Sequence, residues 1–245
     1  MNGLEPLTTP RPWVLGMTWL DLAFLHWRVP AAALERFIPA GLTLQTFDGS
    51  AWLGVVPFRM ARTRARGIPP VPGTSDFLEL NVRTYVTHGK RPGVWFFSLD
   101  CQNPLAVRGA RTAFYLPYMD ARMSETRAAA SEISAATESR SLRTHAGEPP
   151  ARFQARYSGD GQAFQTQPGS LEHWLTERYC LYSADRQGRV YRGEIRHAPW
   201  TLRTAKVDLL ENTMAAPLGL TLSATPDLAH VAAPLEVTAW LLTRV

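Results

Sequence analysis

The chain has 245 residues, of which 45% are hydrophobic and 19% are charged, and its formal net charge is +5 at pH 7. This length fits one large domain or two small ones, and it is sufficient to bury a hydrophobic core. No apolar run approaches the roughly 20 residues that cross a bilayer, and the opening MNGLEPLTTPRPW lacks the basic start and apolar segment of a secretion signal. The sequence therefore predicts a cytoplasmic protein without a membrane segment.

Turn signals and alternating runs recur at short spacing along the chain, a pattern typical of a mostly antiparallel sheet with a few helices. The Asp48-Gly49 pair predicts a hairpin, because glycine tolerates a positive φ. Pro92 and its flanking glycines predict a second hairpin loop. The predicted strands are 42–47, 50–58, 77–87, 94–100, 132–139, 152–157, 179–184, 189–197, 204–210 and 235–242.

Capping signals predict three short helices. Pro30 suits the first turn of a helix that ends near Ile38. Asn103 caps a second helix that reaches about Tyr115, and Ser170 caps a third. Residues 140–150, RSLRTHAGEPP, are the best linker candidate. We nevertheless predict one domain over residues 1–245, because neither side of this linker contains a complete repeat of the other.

The segment FLELNVRTYV, residues 77–86, sorts its side chains into two chemically opposite sets. A strand repeats every two residues, so one set faces a core while the other shares a polar surface. A carboxylate, an amide, a guanidinium and a phenol in one row suit the binding of a small polar molecule. A solvated sheet face explains the same alternation. The polar set is Glu79, Asn81, Arg83 and Tyr85, and the apolar set is Leu78, Leu80, Val82 and Val86.

Several blocks of the sequence are distinctive in order and spacing. They are LHWRVPAAALERFIP, TFDGSAWLGVVPFRM, FLELNVRTYV, VWFFSLD, LPYMDARM, PGSLEHWLTERYCLY and HAPW. Over almost its whole length the chain resembles the uncharacterised YqjF-like domain family. That family more distantly resembles acetoacetate decarboxylase, which implies an α+β fold with a closed, cone-like, mostly antiparallel sheet around a buried pocket and a few flanking helices. Relatives of this fold assemble into larger complexes, so the resemblance favours a homo-oligomer.

The decarboxylase resemblance extends to single residues. In those enzymes an arginine precedes a helix that ends in a hydrophobic-Pro-x-x-Leu segment, and Arg28 stands at the arginine position here. A Tyr-x-Glu segment supplies their pocket glutamate, and its counterpart Phe77-Leu78-Glu79 implies that Glu79 lies in the cavity. Their signature Gly-Arg-Glu-x-x-Gly-x-Pro-Lys-Lys appears as ARTAFYLPYM, residues 110–119, which retains Arg111 but has lost both lysines.

The missing lysines change the expected chemistry. The decarboxylase lysine forms a Schiff base with a ketone, and a neighbouring cation lowers its pKa. Tyr118 and Met119 occupy these positions, and neither side chain can take over the function. Lys90 and Lys206 are the only lysines, and neither lies at a matching position. We therefore do not expect the imine route.

Acid/base chemistry is the alternative that a retained pocket allows. Enclosure raises the pKa of a carboxyl group, which makes Glu79 the candidate general base; a buried ion pair is its structural alternative. Arg28, Arg83 and Arg111 are candidates to bind a substrate carboxylate or to neutralise Glu79. Tyr118 is the candidate acid or carbonyl donor, unless it only packs with a satisfied hydroxyl.

The binding set also includes Asn81 and Tyr85 from the polar row. The junction LTERYCLY allows two interpretations of residues 177–179. They lie either at the mouth of a pocket or at the surface, with two exposed charges and a packed tyrosine, and the second interpretation is favoured. The arginines of FRMARTRARG, within residues 59–66, suit a solvated edge or a pocket rim for an anionic group. No interleaved aromatics or nucleic-acid motif accompany them, so we expect no nucleic-acid partner.

Metal and cofactor motifs are missing from the sequence. His26 and His197 could join Glu79 in a two-His, one-carboxylate site, but no H-x-H or H-x-x-x-H pair supports it. Cys101 and Cys180 show no C-x-x-C spacing and are expected to be reduced and buried. No Walker loop, Rossmann glycine pattern or G-x-S-x-G elbow is present. We therefore expect neither a cofactor nor a metal.

Three hypotheses follow, in order of preference. The first is a pocket for a small carboxylate- or carbonyl-bearing molecule, with cofactor-free lyase, hydratase or isomerase chemistry that uses Glu79 as base and Tyr118 as acid. The second is a non-catalytic protein in which the same residues only recognise a ligand. The third is a polyanion-binding module that uses the arginines of residues 59–66.

Overall fold

β-strands form most of the protein, for which a computed structural model describes residues 11–128 and 136–245. The strands are β1 Leu15–Leu20, β2 Ala23–Val29, β3 Thr43–Leu44, β4 Ala51–Ala65, β5 Phe77–His88, β6 Arg91–Cys101, β7 Tyr118–Arg127, β8 Thr137–Arg143, β9 Arg152–Gln165, β10 Cys180–Ala184, β11 Val190–Arg196, β12 Thr201–Asn212, β13 Leu228–Ala232, β14 Leu235–Ala239 and β15 Thr243–Arg244. The helices are α1 Ala31–Glu35, α2 Pro104–Ala113 and α3 Leu171–Thr176, with a 3-10 turn at Ala216–Leu218. Among these described residues, no helix combines the length and the apolar character needed to cross a membrane.

The strands belong to one sheet that closes on itself twice. The first ring runs through β4, β1, β14, β11, β10, β6 and β5. The second ring runs through β6, β7, β8, β9, β12, β13, β2, β4 and β5. Because β4, β5 and β6 belong to both rings, each of these three strands has one face inside each ring.

Each ring encloses its own apolar core, and β5 contributes to both. Successive side chains of a strand point to opposite faces. Leu80 and Val82 therefore pack in the second ring, where Leu25 and Phe153 are also buried. Phe77, on the opposite face of β5, packs in the first ring. The apolar half of the alternating segment thus anchors β5, and its polar half faces the first ring.

The predicted fold class, a closed sheet with a few helices, is confirmed, but the sheet is not purely antiparallel. β6 runs parallel to β7 and also to β10. Parallel neighbours need a crossover connection rather than a tight turn. Helix α2 lies between β6 and β7 in the chain and provides that crossover.

The three predicted helices are present, and two have the predicted caps. The Asn103 side chain accepts hydrogen bonds from the first turn of α2, and the Ser170 hydroxyl accepts one from the backbone of His173 in α3. Helix α1 begins directly after Pro30 without a side-chain cap and ends at Glu35, earlier than predicted.

Several strand predictions differ from the structure. The predicted strand 42–47 is reduced to β3, which pairs with β5 instead of β4. Asp48 and Gly49 do have positive φ angles, 48° and 78°, in the tight turn closed by the bridge between Phe47 and Ser50. Pro92 lies within β6 rather than in a loop. Part of the predicted strand 132–139 falls outside the described residues, and β8 begins at Thr137.

The linker prediction is wrong for residues 140–143, which complete β8. Arg143 at its end is buried, and its Nε donates a 2.9 Å hydrogen bond to Asp100 on β6. Its Nη2 donates to the Ser98 hydroxyl at 2.7 Å. A buried ion pair therefore fixes the segment that looked like a boundary. The assignment of one domain remains a prediction.

Gly93 makes a close contact between β6 and β10, and we predict that Gly93→Ala destabilises the fold. A Cβ atom at Gly93 would lie 2.7 Å from the Cys180 Sγ atom and 2.8 Å from the Cys180 carbonyl oxygen, so backbone would have to move. Overpacking of this kind costs about 1–3 kcal/mol. Denaturant unfolding measures the loss. In the control Gly109→Ala the added carbon meets no atom within 4 Å outside the backbone of its own helix, and equal losses in both variants would contradict the prediction.

Candidate functional site

A cavity of about 460 Å³ lies inside the first ring. Strands β1, β4, β5, β6, β11 and β14 and helix α2 contribute to its wall. Most of the lining is apolar, which lowers the local dielectric and strengthens any charge interaction inside. Representative lining side chains are Met17, Trp19, Phe58, Phe77, Phe96 and Leu99.

A few polar side chains interrupt this apolar lining. Glu79, Asn81 and Arg83 come from alternate positions of β5. Tyr118, at the start of β7, and Arg178, after α3, complete the central set. The structure therefore brings four of the seven predicted site residues to one cavity and adds an arginine that the sequence analysis had assigned to the surface.

Glu79 and Tyr118 form a buried hydrogen-bonded pair. The Tyr118 hydroxyl donates to Glu79 Oε2 at 2.9 Å. Tyr118 is 8% exposed and Glu79 is 2% exposed. Burial raises the pKa of Glu79 to about 8, although hydrogen bonds from Tyr118 and Asn81 act in the opposite direction. Burial and the nearby Glu79 also raise the pKa of Tyr118 well above its ordinary value. Glu79 therefore exchanges its proton near neutral pH, and Tyr118 stays protonated.

The crossover through α2 positions Tyr118. Tyr118 pairs in parallel with Leu99 of β6, which places it two strands from Glu79 in the sheet and within hydrogen-bond distance of its carboxyl group. Arg111 on α2 supports this strand start, because its Nη1 donates to the Tyr118 carbonyl oxygen at 2.6 Å. Arg111 is itself exposed and does not line the cavity. Its observed contact is with the backbone that carries Tyr118.

Arg83 lies where the pairing of β5 with β6 shifts by one residue, between Val82 and Arg83. Such bulges redirect a side chain. The guanidinium carbon lies 5.2 Å from the ring centre of Phe24 and 5.8 Å from that of Tyr85. Opposite it, Gly54 leaves room, because a Cβ atom there would lie 3.3 Å from Arg83 Cγ. Among the described residues, the buried Nε of Arg83 has no hydrogen-bond partner.

Arg178 is held more firmly than Arg83. Its Nε donates to the Trp174 carbonyl oxygen and its Nη1 to Gln45 Oε1, both at 2.7 Å. Its guanidinium carbon lies 4.9 Å from the Tyr85 ring centre. Burial, with Arg83 also contributing, lowers the pKa of Arg178 to about 10, so it stays charged at neutral pH. Within the described chain its buried Nη2 lacks a partner.

The surface interpretation is therefore wrong for Glu177 and Arg178, whereas Tyr179 is packed as predicted. All three side chains are buried, and Glu177 Oε2 accepts a 2.5 Å hydrogen bond from the Tyr179 hydroxyl. Glu177 Oε1 accepts another, at 2.9 Å, from the backbone of Trp200. Glu177 thus anchors the junction from which Arg178 reaches the cavity. The polar residues between two apolar runs in LTERYCLY were the only local signal of this arrangement.

Two other predicted site residues lie outside the cavity lining. Arg28 is exposed, with its guanidinium carbon 4.8 Å from the ring centre of Trp52. Tyr85 is fully buried, and its hydroxyl lies 2.6 Å from His26 Nε2. Its ring contacts both cavity arginines, so Tyr85 supports the site from behind the wall.

No arginine forms an ion pair with Glu79 among the described residues, which removes the structural alternative considered for this carboxyl group.

The histidines do not join Glu79 in a metal site within the described residues. His197 lines the cavity between Tyr179 and Trp200, with ring centres 4.6 and 5.2 Å away, and burial lowers its pKa. In residues 11–128 and 136–245, no group of three His, Cys, Asp or Glu side chains could hold a metal.

The lysines and the arginine-rich stretch lie elsewhere. Lys206 is exposed, with its Nζ 3.3 Å from Asp160, and Lys90 is exposed in the turn after β5. Arg59 pairs with Asp21 at 2.7 Å. Arg64 and Arg66 both lie against the ring of Trp13, at 5.9 and 5.7 Å from its centre. None of these basic residues lines the cavity.

Comparison with solved structures identifies the fold. The structure of the enduracididine biosynthesis enzyme MppR, complexed with the condensation product of pyruvate and imidazole 4-carboxaldehyde, matches with a TM-score of 0.65 at 13% identity, over 96% of this chain and 90% of MppR. An acetoacetate decarboxylase-like enzyme from Sphingomonas wittichii RW1 matches with a TM-score of 0.62 at 16% identity, over 98% and 97%. Acetoacetate decarboxylase from Legionella pneumophila matches with a TM-score of 0.60 at 12% identity, over 98% and 93%. The fold is therefore acetoacetate decarboxylase-like.

Sequence comparison gives the family. Uncharacterized protein YqjF of Bacillus subtilis (strain 168) is 39% identical over 233 residues, which cover 95% of this chain and 93% of YqjF. The DUF2071 family, described as an uncharacterized conserved protein, matches residues 16–236. This chain belongs to the DUF2071 (YqjF-like) family.

Proposed function

We propose that the cavity binds a small organic molecule with a carboxylate or carbonyl group, and that Glu79 and Tyr118 transfer a proton on it without a cofactor. One observation carries this proposal: a buried carboxyl group with a pKa of about 8 accepts a hydrogen bond from a phenol inside a cavity. Perturbed carboxyl groups in enclosed pockets are typical of acid/base sites. The solved complexes of MppR with pyruvate and with a condensation product support a small-molecule ligand for this fold.

The proposed chemistry is removal of a proton from a carbon next to a carbonyl group. At pH 7 about a tenth of Glu79 is ionised, and this fraction accepts the proton. The Tyr118 hydroxyl then donates its hydrogen bond to the carbonyl oxygen, on which negative charge develops. Return of the proton to another carbon gives an isomerase, and departure of a β-substituent gives a lyase or hydratase.

A ligand-binding protein without catalysis is the second candidate, and the unpartnered cavity atoms favour it. Among the described residues, Trp19 Nε1, Asn81 Oδ1, Arg83 Nε and Arg178 Nη2 are buried without a hydrogen-bond partner. These atoms are suited to recognise a ligand whether or not Glu79 moves a proton.

The expectations of a cytoplasmic location, a homo-oligomer and no nucleic-acid partner remain predictions.

Glu79→Gln should abolish proton transfer and largely spare binding. A general base contributes about 100-fold or more to the rate, and glutamine keeps the size and the acceptor for Tyr118. The measurement is deuterium uptake at carbon by pyruvate, acetoacetate and levulinate in D2O, followed by proton NMR. The exposed Glu148→Gln is the control. Binding without exchange in the wild-type protein, for a longer oxo acid as well as for these three, would decide for the second candidate.

The pH dependence of stability should report the burial of Glu79. Its pKa is about 8 in the folded protein and 4.5 without perturbation, so from about pH 4.5 to 8 the unfolded chain loses a proton that the folded protein keeps. The free energy of unfolding therefore falls as pH rises through this window. Glu79→Gln lacks this titration, so its free energy of unfolding relative to that of the wild type should rise by about 1 kcal/mol per pH unit in this window. Denaturant titrations at several pH values measure the difference, and parallel curves would contradict the shifted pKa.

Borohydride reduction in the presence of pyruvate or acetone should leave no adduct on a lysine. Neither Lys90 nor Lys206 reaches the cavity, and Tyr118 cannot form an imine. Intact mass followed by peptide mapping separates lysine products from reaction at the terminal amine. A stable adduct on Lys206 would show that imine chemistry uses a site outside the cavity.

A further inference from the structure

Arg83 and Arg178 form a pair of cations without a counter-charge at one end of the cavity. No carboxylate forms an ion pair with either side chain in the part of the chain that the structure describes. Their guanidinium carbons lie 5.8 and 4.9 Å from the centre of the same Tyr85 ring, so both charges contact one aromatic side chain. The effect of Arg83 on the pKa of Arg178 shows the same proximity. Like charges at low dielectric are costly until an anion joins them.

The unused donors of this pair point to the shape of that anion. Arg83 retains its Nε–H, and Arg178 retains one Nη2 group, because its other nitrogens donate to Trp174 and Gln45. Each side chain is held by an aromatic face and at least one carbonyl oxygen, so the donors are already oriented. A carboxylate has two oxygens that can accept from two guanidinium groups. Arg178, 3% exposed, is the more deeply buried partner.

The Glu79–Tyr118 pair lies at a distance from these cations. Glu79 and Arg83 are four residues apart on β5, which separates their Cα atoms by roughly 13 Å. The Arg83 guanidinium turns toward the ring of Tyr85, the next residue but one along the strand, and therefore away from Glu79. Tyr118 and Asn81 hydrogen-bond to Glu79, and neither arginine contacts it.

Apolar side chains occupy most of the wall between the two ends. Val56 of β4 and Leu99 of β6 are the partners of Asn81, and Phe96 is the β6 partner of Arg83. All of these residues line the cavity. Its volume of about 460 Å³ falls in the range of pockets for ligands much larger than a three- or four-carbon acid.

We propose that the ligand of this cavity is an elongated monocarboxylic acid. Its carboxylate binds Arg83 and Arg178, its apolar chain packs against Val56, Phe96 and Leu99, and a carbonyl group at its far end reaches Glu79 and Tyr118. This assignment rests on the proposed function and names its substrate class. A short acid such as pyruvate or acetoacetate can occupy one end only.

Calorimetric titration with straight-chain carboxylates from acetate through hexanoate, octanoate and decanoate tests the assignment. Affinity should rise at least tenfold from acetate to the best longer acid, and the methyl ester of that acid should bind at least tenfold more weakly. Arg83→Met and Arg178→Met should each weaken carboxylate binding about tenfold or more, because each removes a charge-assisted hydrogen bond. Arg186→Met, at an exposed turn, should change nothing.

Arg178→Lys covers the event that Arg178→Met does not fold, since it keeps the charge and should bind better than any neutral replacement. The wild-type length series does not depend on a variant. Equal affinity for acetate and decanoate, or tightest binding of pyruvate, would overturn the elongated ligand and leave acid/base chemistry on short oxo acids to be judged by deuterium exchange. Unchanged binding in both arginine variants would also overturn it. A long oxo acid with its carbonyl group at the far end that binds through the arginines without deuterium exchange would support the ligand class and remove the acid/base proposal.

Discussion

The constraint on which the site depends is the register of β5 between β4 and β6. These strands are shared by both rings, so residues 77–83 of β5 face the cavity and the second core in alternation. A slip of one residue would exchange Glu79 for Leu80 and Asn81 for Val82 on the cavity wall. The burial of Leu80 and Val82 in the second core opposes that slip. Hydrophobic packing on one side of the strand therefore holds the polar groups in place on the other.

Buried charges are paired on one face of the shared strands and lack a charged partner on the other, among the described residues. On the side of the second ring, Asp100 is paired with Arg143, and Ser98 and Ser141 satisfy further atoms of the pair. On the cavity side of the same three strands, burial raises the pKa of Glu79 to about 8, and Arg83 lacks a carboxylate partner among the described residues. The paired charges of Asp100 and Arg143 need no ligand, whereas a buried arginine without a carboxylate partner is stabilised when an anion binds it. This difference between two faces of one sheet favours a binding role for the hollow ring.

The sequence predicted those site residues whose positions follow from the alternation of side chains along one strand. The alternation at residues 77–86 and the resemblance at Tyr118 together predicted four residues that line the cavity. Arg28 is different because β2 was not predicted: its strongly apolar run does not separate strand from helix, and only the strand places Arg28 outward between buried neighbours. Arg178 and Arg143 depend on contacts with residues 133 and 43 positions away, and such contacts cannot be read from a local sequence pattern. Long-range packing decided these positions.

Tyr118 stands where the resemblance to the decarboxylases implies a lysine, and this difference changes the kind of chemistry that we expect. An amine at this place would attack a carbonyl carbon, whereas a phenol of raised pKa only donates a hydrogen bond to its oxygen. Met119 supplies no cation beside it, so the end of the cavity near Glu79 is neutral at pH 7. The positive charge lies instead at Arg83 and Arg178, which gives the cavity a polarity along β5. The proposed anionic ligand would therefore bind in one orientation, with its uncharged end at Glu79 and Tyr118.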